Sequence, residues 1–274
     1  MQEPGAHLLA YKGMAVLLWL AVLFAAERLR PAAPYPDAAV PQSRRLVGNG
    51  VLWGINAALS VAVVVPVTVW AANAAPQWRP LWWSGWGGLA LDLLILDGLI
   101  YWWHRANHRL PFLWRFHSVH HLDRTLDSTT ALRFHFGEVT LSALARAGVV
   151  LALAVPLASV LVFETLVLIA ALFHHSNLRL PKEFERALSR VIVTPSIHWV
   201  HHHRIRVDTD SNYSTVLSIW DPLFRSRSST RRTPDLEIGV EGREELPVLN
   251  LIAAPFRGTG VASFDSPPKR GGSG

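Results

Sequence analysis

The sequence contains no cysteine. That excludes disulfides, thiolate metal sites, iron–sulfur clusters and cysteine nucleophiles. Any metal must then be held by imidazole, carboxylate or carbonyl groups. Charge is also scarce: 17% of residues are charged and 50% are apolar, and mean hydropathy is +0.24. The apolar residues come in blocks, the pattern of a membrane protein rather than a soluble domain. No Glu-x-x-His occurs, so the carboxylate-rich sites of soluble di-iron bundles have no counterpart here. No Glu sits inside a histidine cluster as in H-E-x-x-H, which argues against a zinc hydrolase. There is no repeat of 20–50 residues. The glycine-rich "GNGVLWG" at 48–54 precedes an apolar run and follows no strand, so it is no nucleotide loop.

What is present is a set of long apolar runs, at about 8–26, 51–72, 86–103 and 139–173. The first three are each near the roughly 20 residues of a spanning helix. The fourth is too long for one, and Pro156 near its middle predicts two helices joined by a tight turn, or one deep hairpin. The N-terminal run has no basic start and no clear cleavage site, so it reads as a retained span. Basic residues concentrate in 27–50 and 104–138, while 73–85 carries only Arg79. The positive-inside rule then puts those two loops and 174–235 on the cytoplasmic side. The net charge of +6 fits loops beside anionic lipid better than a nucleic-acid partner. The fold expected is all-α and integral to the membrane, with four to five embedded helices and a cytoplasmic histidine-rich helical cap. The expected divisions are 1–85 for the N-terminal spans and loops, 86–235 for the histidine-bearing domain, and 236–274 for a partly disordered tail. "PPKRGGSG" reads as disordered.

Of 13 histidines, only His7 lies outside 104–203. "HRANH" places His104 and His108 four apart, which stacks two imidazoles on one helix face. "HSVHH" carries His117, His120 and His121, and "HWVHH" repeats that spacing at His198, His201 and His202. "FHHSN" adds His174 and His175. An isolated pair of this kind is usually a surface accident. Four clusters predicted at one membrane face are not, because crowded imidazoles repel one another when protonated. One catalytic zinc needs only about three ligands, so two ions fit the count better. Imidazole spacing does not choose among iron, zinc, copper and nickel. A metal transporter would need ligands along a path through the bilayer, and a storage tract would not need two matching boxes.

The stretches "DGLIYWWHRANHRLPFLWRFHSVHH", "RFHFGE", "FHHSNLRLP", "TPSIHWVHHHR" and "NYSTVLSIWDPLF", within about 92–225, resemble the fatty acid hydroxylase/sterol desaturase superfamily of membrane di-iron oxygenases. The resemblance implies two irons, with zinc able to replace them in purified protein, and O2 as oxidant. The implied substrate is the C–H bond of a fatty acyl or sterol-like lipid, and the outcome hydroxylation or desaturation. It carries ligand roles onto His104, His108, His117, His120, His121, His175, His198, His201 and His202. His174 and His135 are further candidates; phenylalanine follows His135 where the family usually has proline. His203 is extra to its box, a neighbour or a bystander. Each turnover needs two electrons, and with no dinucleotide fingerprint and no cysteine a separate reductase, ferredoxin or cytochrome is implied. The Arg-rich loops are a candidate docking face for it. The expected location is a bacterial inner membrane with the boxes facing the cytoplasm.

Supporting residues are also expected. Asp97 lies seven residues before His104, on a similar helix face, where it could fix an imidazole tautomer or pair with an arginine. Asp92 lies deeper in the span, facing a polar gap. Asn177 could bond a ligand or close a turn, and Asn212 with Tyr213 could orient the third box or close a loop. Glu138 could serve a ligand or pair with Arg133. The tryptophans near span ends, Trp114 among them, read first as an interfacial belt and second as channel lining.

Overall fold

The computed structural model describes residues 4–35 and 41–257, with side chains from residue 13 onward within that range. "PPKRGGSG" lies outside the described residues, as does the rest of 258–274. Helices follow one another as α1 (Pro4–Leu29), α2 (Gln42–Leu59), α3 (Val65–Ala74), α4 (Gly85–Arg109), α5 (Pro111–His121), α6 (Phe136–Leu153) and α7 (Leu157–His175). Shorter ones complete the cap: α8 (Lys182–Leu188), α9 (Pro195–His201), α10 (Arg206–Thr209), α11 (Trp220–Leu223) and α12 (Val248–Ala253). Among the described residues, strand-like pairing is confined to isolated bridges.

Four stretches are long and apolar enough to cross a membrane: Gln42–Ala74, Gly85–Arg109, Phe136–Leu153 and Leu157–His175. At 1.5 Å per residue, α6 and α7 run for about 27–28 Å, near the thickness of a hydrocarbon core. The chain is thus an integral membrane protein. α2 and α3 form one 33-residue rod, interrupted by a π-helical turn at Ser60–Val64. Pro66 explains the interruption: it donates no N–H, and its ring would strike the carbonyl four residues back. Pro156 acts as the sequence suggests. α6 ends on Ala154 in a left-handed conformation (φ 50°), and Pro156 caps α7. The fourth run is therefore two helices in a tight hairpin.

Ala71, Leu96, Ala147, Val150, Val160 and Phe163 form a buried cluster joining α3, α4, α6 and α7. Leu18, Val61, Trp70, Leu94 and Leu144 remain exposed, as lipid-facing positions should. The C-termini of α1, α4 and α7 and the N-termini of α2 and α6 meet at one end of the bundle. At the other end Trp78 donates to the Ala152 carbonyl (3.2 Å). Trp82 and Trp86 are exposed there, in keeping with an aromatic belt. Asp92 is held there too, by Arg79, by Trp83 Nε1 (2.9 Å) and by Ser159 Oγ (2.7 Å). That is the polar gap expected of it.

The cap is tied to the bundle by buried charge. Arg45 donates to Asp123 (2.7 Å), to Asp127 (2.8 Å) and to the Thr125 carbonyl (2.7 Å), with all three side chains buried. Burial alone would raise the Asp123 carboxyl, but the charges of Arg45 and Arg133 hold it below the ordinary range. Glu27 at the end of α1 accepts from Ser128 N (3.0 Å), Ser128 Oγ (2.8 Å) and Asn177 N (2.9 Å). Arg133 reaches the Val119 carbonyl (3.0 Å) and Glu245 (3.0 Å). Residues 236–257, read from the sequence as the start of a disordered tail, pack onto this layer. Leu251 is buried with Leu52, Val119 and Leu122, because α12 supplies the apolar cover that the second histidine box leaves open.

Candidate metal centre

The four histidine-bearing segments converge where α4, α5, α7 and α9 meet. His104, His108, His117, His121 and His201 form one group and His120, His175, His198 and His202 a second. All nine are nearly or fully buried, and within each group the ligand atoms lie within 4.8 Å of one another. The boxes interleave. In "HSVHH", His117 and His121 point to the first group and His120 to the second. In "HWVHH" the assignment is reversed, with His198 and His202 in the second group and His201 in the first. Residues four apart stack on one helix face, while the middle histidine of each box, His120 or His201, is rotated toward the neighbouring group.

Several rings are locked into one tautomer. A carbonyl can only accept, so His104, His175 and His201 must donate from Nδ1 to the carbonyls of Tyr213 (2.8 Å), Ala171 (2.7 Å) and Ser211 (2.6 Å). His117 Nδ1 does the same to Glu138 Oε1 (2.8 Å). Their Nε2 lone pairs then face inward, as in metal sites where an outer partner fixes the ring. In the second group, Nε2 of His175 lies 3.0 Å from that of His120 and 2.9 Å from that of His198. The His198 and His202 Nε2 atoms are 3.1 Å apart. In the first group the corresponding His117–His121 separation is 3.2 Å. Nitrogens bound at about 2.0–2.1 Å to one ion lie about 2.9 Å apart at right angles, so these separations suit a shared cation. His201 Nε2 and both ring nitrogens of His108 are buried without a hydrogen-bond partner. Burial, reinforced by neighbouring imidazoles, holds His120, His121, His198, His201 and His202 well below the ordinary imidazole range. The rings are therefore neutral, the state a metal ligand requires. The donor set fits two metal ions.

The other candidates fall elsewhere. His135 caps α6: its Nδ1 accepts from Gly137 N (2.9 Å) and its Nε2 donates to the Ile252 carbonyl (3.1 Å). Both ring nitrogens are occupied, so His135 has none to offer a metal. His174 lies tilted against His198, ring centroids 4.0 Å apart and planes at 45°, but belongs to neither group. His203 turns away to Asp208 (2.7 Å). Asp97 touches no imidazole. It accepts from Leu217 N (3.0 Å) and Trp220 Nε1 (2.8 Å), because two helical turns put it about 10 Å below His104. Asn177 likewise contacts no histidine side chain; it accepts from Ala32 N (3.1 Å) and Ala33 N (3.0 Å) and closes the chain after α1. Asn212, at φ 51°, donates to the Ile197 carbonyl of α9 (3.2 Å), while the ring of buried Tyr213 packs on His104, His108 and His201. Glu138 serves His117 and also accepts from Asn107 (3.2 Å); Arg133 pairs with Glu245 instead. Trp114 is buried against His108 and His121 rather than in a belt. Sequence reading missed Asn107 and the Arg45 network. An arginine three positions after "PQ" at the head of a span carries no local sign of its partners some 80 residues away.

A largely apolar cavity of about 310 Å³ lies beneath both groups, between α4, α6 and α7. His104, His117, His120, His175 and His198 form its wall on the side of the two groups; Ile100, Trp103, Phe163 and Val167 are among the apolar residues that line it farther away.

The sequence model of the fatty acid hydroxylase family matches residues 89–226, which include all nine clustered histidines. Ornithine lipid hydroxylase OlsE of Rhizobium tropici is 28% identical over 209 residues, 74% of this chain and 62% of that protein. Alkylglycerol monooxygenase of Caenorhabditis elegans is 31% identical over 175 residues, 63% of this chain and 32% of that protein. The Danio rerio alkylglycerol monooxygenase is 34% identical over 142 residues, 52% of this chain and 30% of that protein. The chain thus spans less than two thirds of the length of these relatives. No solved structure matches.

Proposed function

The chain belongs to the fatty acid hydroxylase family, and on that premise we propose that it is a membrane di-iron oxygenase that hydroxylates a C–H bond of a lipid. The observation that carries the reading is the pair of buried histidine groups opening onto an apolar cavity between membrane helices. His104, His108, His117, His121 and His201 would hold one iron, and His120, His175, His198 and His202 the other. Two irons, when bound, supply reductive activation of O2 and the oxidant for the C–H bond.

The chain's own residues do the rest. Tyr213, Ser211 and Ala171 carbonyls and the Glu138 carboxylate hold four imidazoles in the tautomer that presents Nε2. Asn212 fixes α9 and with it the third box. The cavity walls exclude water and align an acyl or sterol-like chain beneath the histidines. Electrons come from a separate reductase, ferredoxin or cytochrome that docks on the basic cap. The similarity to a bacterial lipid hydroxylase supports an inner-membrane location, with the histidines on the cytoplasmic side by the positive-inside rule. Zinc can occupy the same imidazoles after aerobic purification.

The test is metal analysis of anaerobically purified protein, followed by lipid mass spectrometry of cells with and without it. Iron at two per chain and a lipid that gains one oxygen atom are expected. A lipid that loses two hydrogens instead identifies a desaturase on the same site. No change in any lipid overturns the oxygenase reading.

A further inference from the structure

Arg146 on α6 and Glu164 on α7 form an ion pair, Nη2 3.1 Å from Oε1. Both stand near the middle of membrane-crossing helices, where ionisable residues are costly and mark functional paths. Ala147 and Val150 of α6 and Val160 and Phe163 of α7 already share one buried apolar cluster with Ala71 of α3 and Leu96 of α4, so the hairpin is anchored in the bundle without the ion pair. Both charged residues line the cavity under the histidines. Arg146 also lines a second cavity of about 290 Å³ against α4, which shares Trp103, Ser142 and Phe163 with the first. The Arg146 Nε is buried without a hydrogen-bond partner. Ser142 stands one turn nearer the histidines, on the same helix face. Glu138, which bonds His117, is eight residues before Arg146, about 12 Å along the helix.

We infer that Arg146, Glu164 and Ser142 form a recognition site for a neutral group on the lipid chain that both accepts and donates a hydrogen bond, an amide linkage or a hydroxyl. The inference rests on the lipid-oxygenase reading and narrows its substrate class. The pair is net neutral and offers guanidinium donors beside a carboxylate acceptor. An amide carbonyl accepts from Arg146 while its N–H donates to Glu164; a hydroxyl does both through one oxygen. A carboxylate would compete with Glu164 for Arg146 and leave a buried charge uncompensated. An ester or ether only accepts, so it cannot serve Glu164.

Binding is measured on the full-length protein as purified with its metal, held anaerobic and without reductant in nanodiscs, by competition against a fluorescent acyl probe. The competitors are an N-palmitoyl amide, a hydroxypalmitoyl ester and the plain palmitoyl ester. The wild type is expected to bind one or both of the first two about tenfold more tightly than the plain ester. Which of them it prefers identifies the group. The doubly apolar variant R146M/E164L should lose that preference while keeping plain-ester binding and histidine-site metal uptake. The reversed pair R146E/E164R, which retains donor and acceptor, should restore it. Equal affinity for all three lipids in the wild type overturns the inference. So does a variant whose chain-length preference alone changes, which would make the pair an end stop. Because no O2 or reductant is present, failure of the oxygenase reading leaves this binding result intact. Lipid oxidation without the binding preference would refute the inference alone.

Discussion

The two HxxHH boxes assign different duties to residues that look alike. His201 stands in the first group, apart from its box neighbours, with Nδ1 committed to Ser211. His201→Ala should abolish lipid oxidation and lower iron per chain, measured by mass spectrometry of digested protein; full metal retention would remove it from the ligand set. His203 bonds Asp208 and faces neither group, so His203→Ala should leave iron content unchanged. Glu138 acts through His117. Glu138→Ala should weaken metal binding about 10- to 100-fold, read by chelator competition, with His117 still in place. His135→Ala should leave metal binding intact and cost about 0.5–2 kcal/mol as a lost helix cap, seen in thermal denaturation. Box spacing pointed to ten histidines in four clusters, and the family resemblance favoured the nine that the structure groups together, leaving His174 aside. The roles of His135, His203, Asp97 and Asn177 were not legible, because a ring or carboxylate reveals its task only through partners remote in sequence.

At the scale of elements, what positions the boxes is a layer of buried charge. Arg45 from the head of α2 holds Asp123 and Asp127, which follow the second box directly. Removing one member leaves buried charge uncompensated. Arg45→Met should therefore destabilise the protein by about 3–5 kcal/mol, measured by denaturant unfolding in detergent, with metal loss following as α5 loosens. A variant that unfolds like the wild type would show that α5 is held by other means. The membrane helices were readable from length and hydropathy, and the α6–α7 turn from Pro156. The π-turn before Pro66 and the docking of α12 on Leu52 and Val119 depend on packing that no local window contains.

For the whole molecule, the histidine groups join elements that apolar packing holds only in part. α4, α5, α7 and α9 each contribute histidines to the two clustered groups, whereas the main apolar cluster lies deeper, among α3, α4, α6 and α7. A metal that binds only the folded state stabilises it by about 4 kcal/mol at a thousandfold excess over Kd. Chelation should accordingly lower the thermal midpoint, and restoring iron should recover it. An unchanged midpoint would mean that the cap is assembled without metal.

Composition and spacing by themselves determined that this chain lies in a membrane, uses no thiol chemistry, and gathers imidazoles at one end of its helices. Hydrophobic thickness and helical periodicity are local properties, and they act wherever the sequence carries them. Only the tertiary structure decided how nine imidazoles divide into groups of five and four. It also decided which carboxylate serves a ring and where a charged pair meets the apolar cavity. Those outcomes depend on which faces of α4, α5, α6, α7 and α9 pack together, and long-range packing of that kind leaves no periodic trace in any one segment.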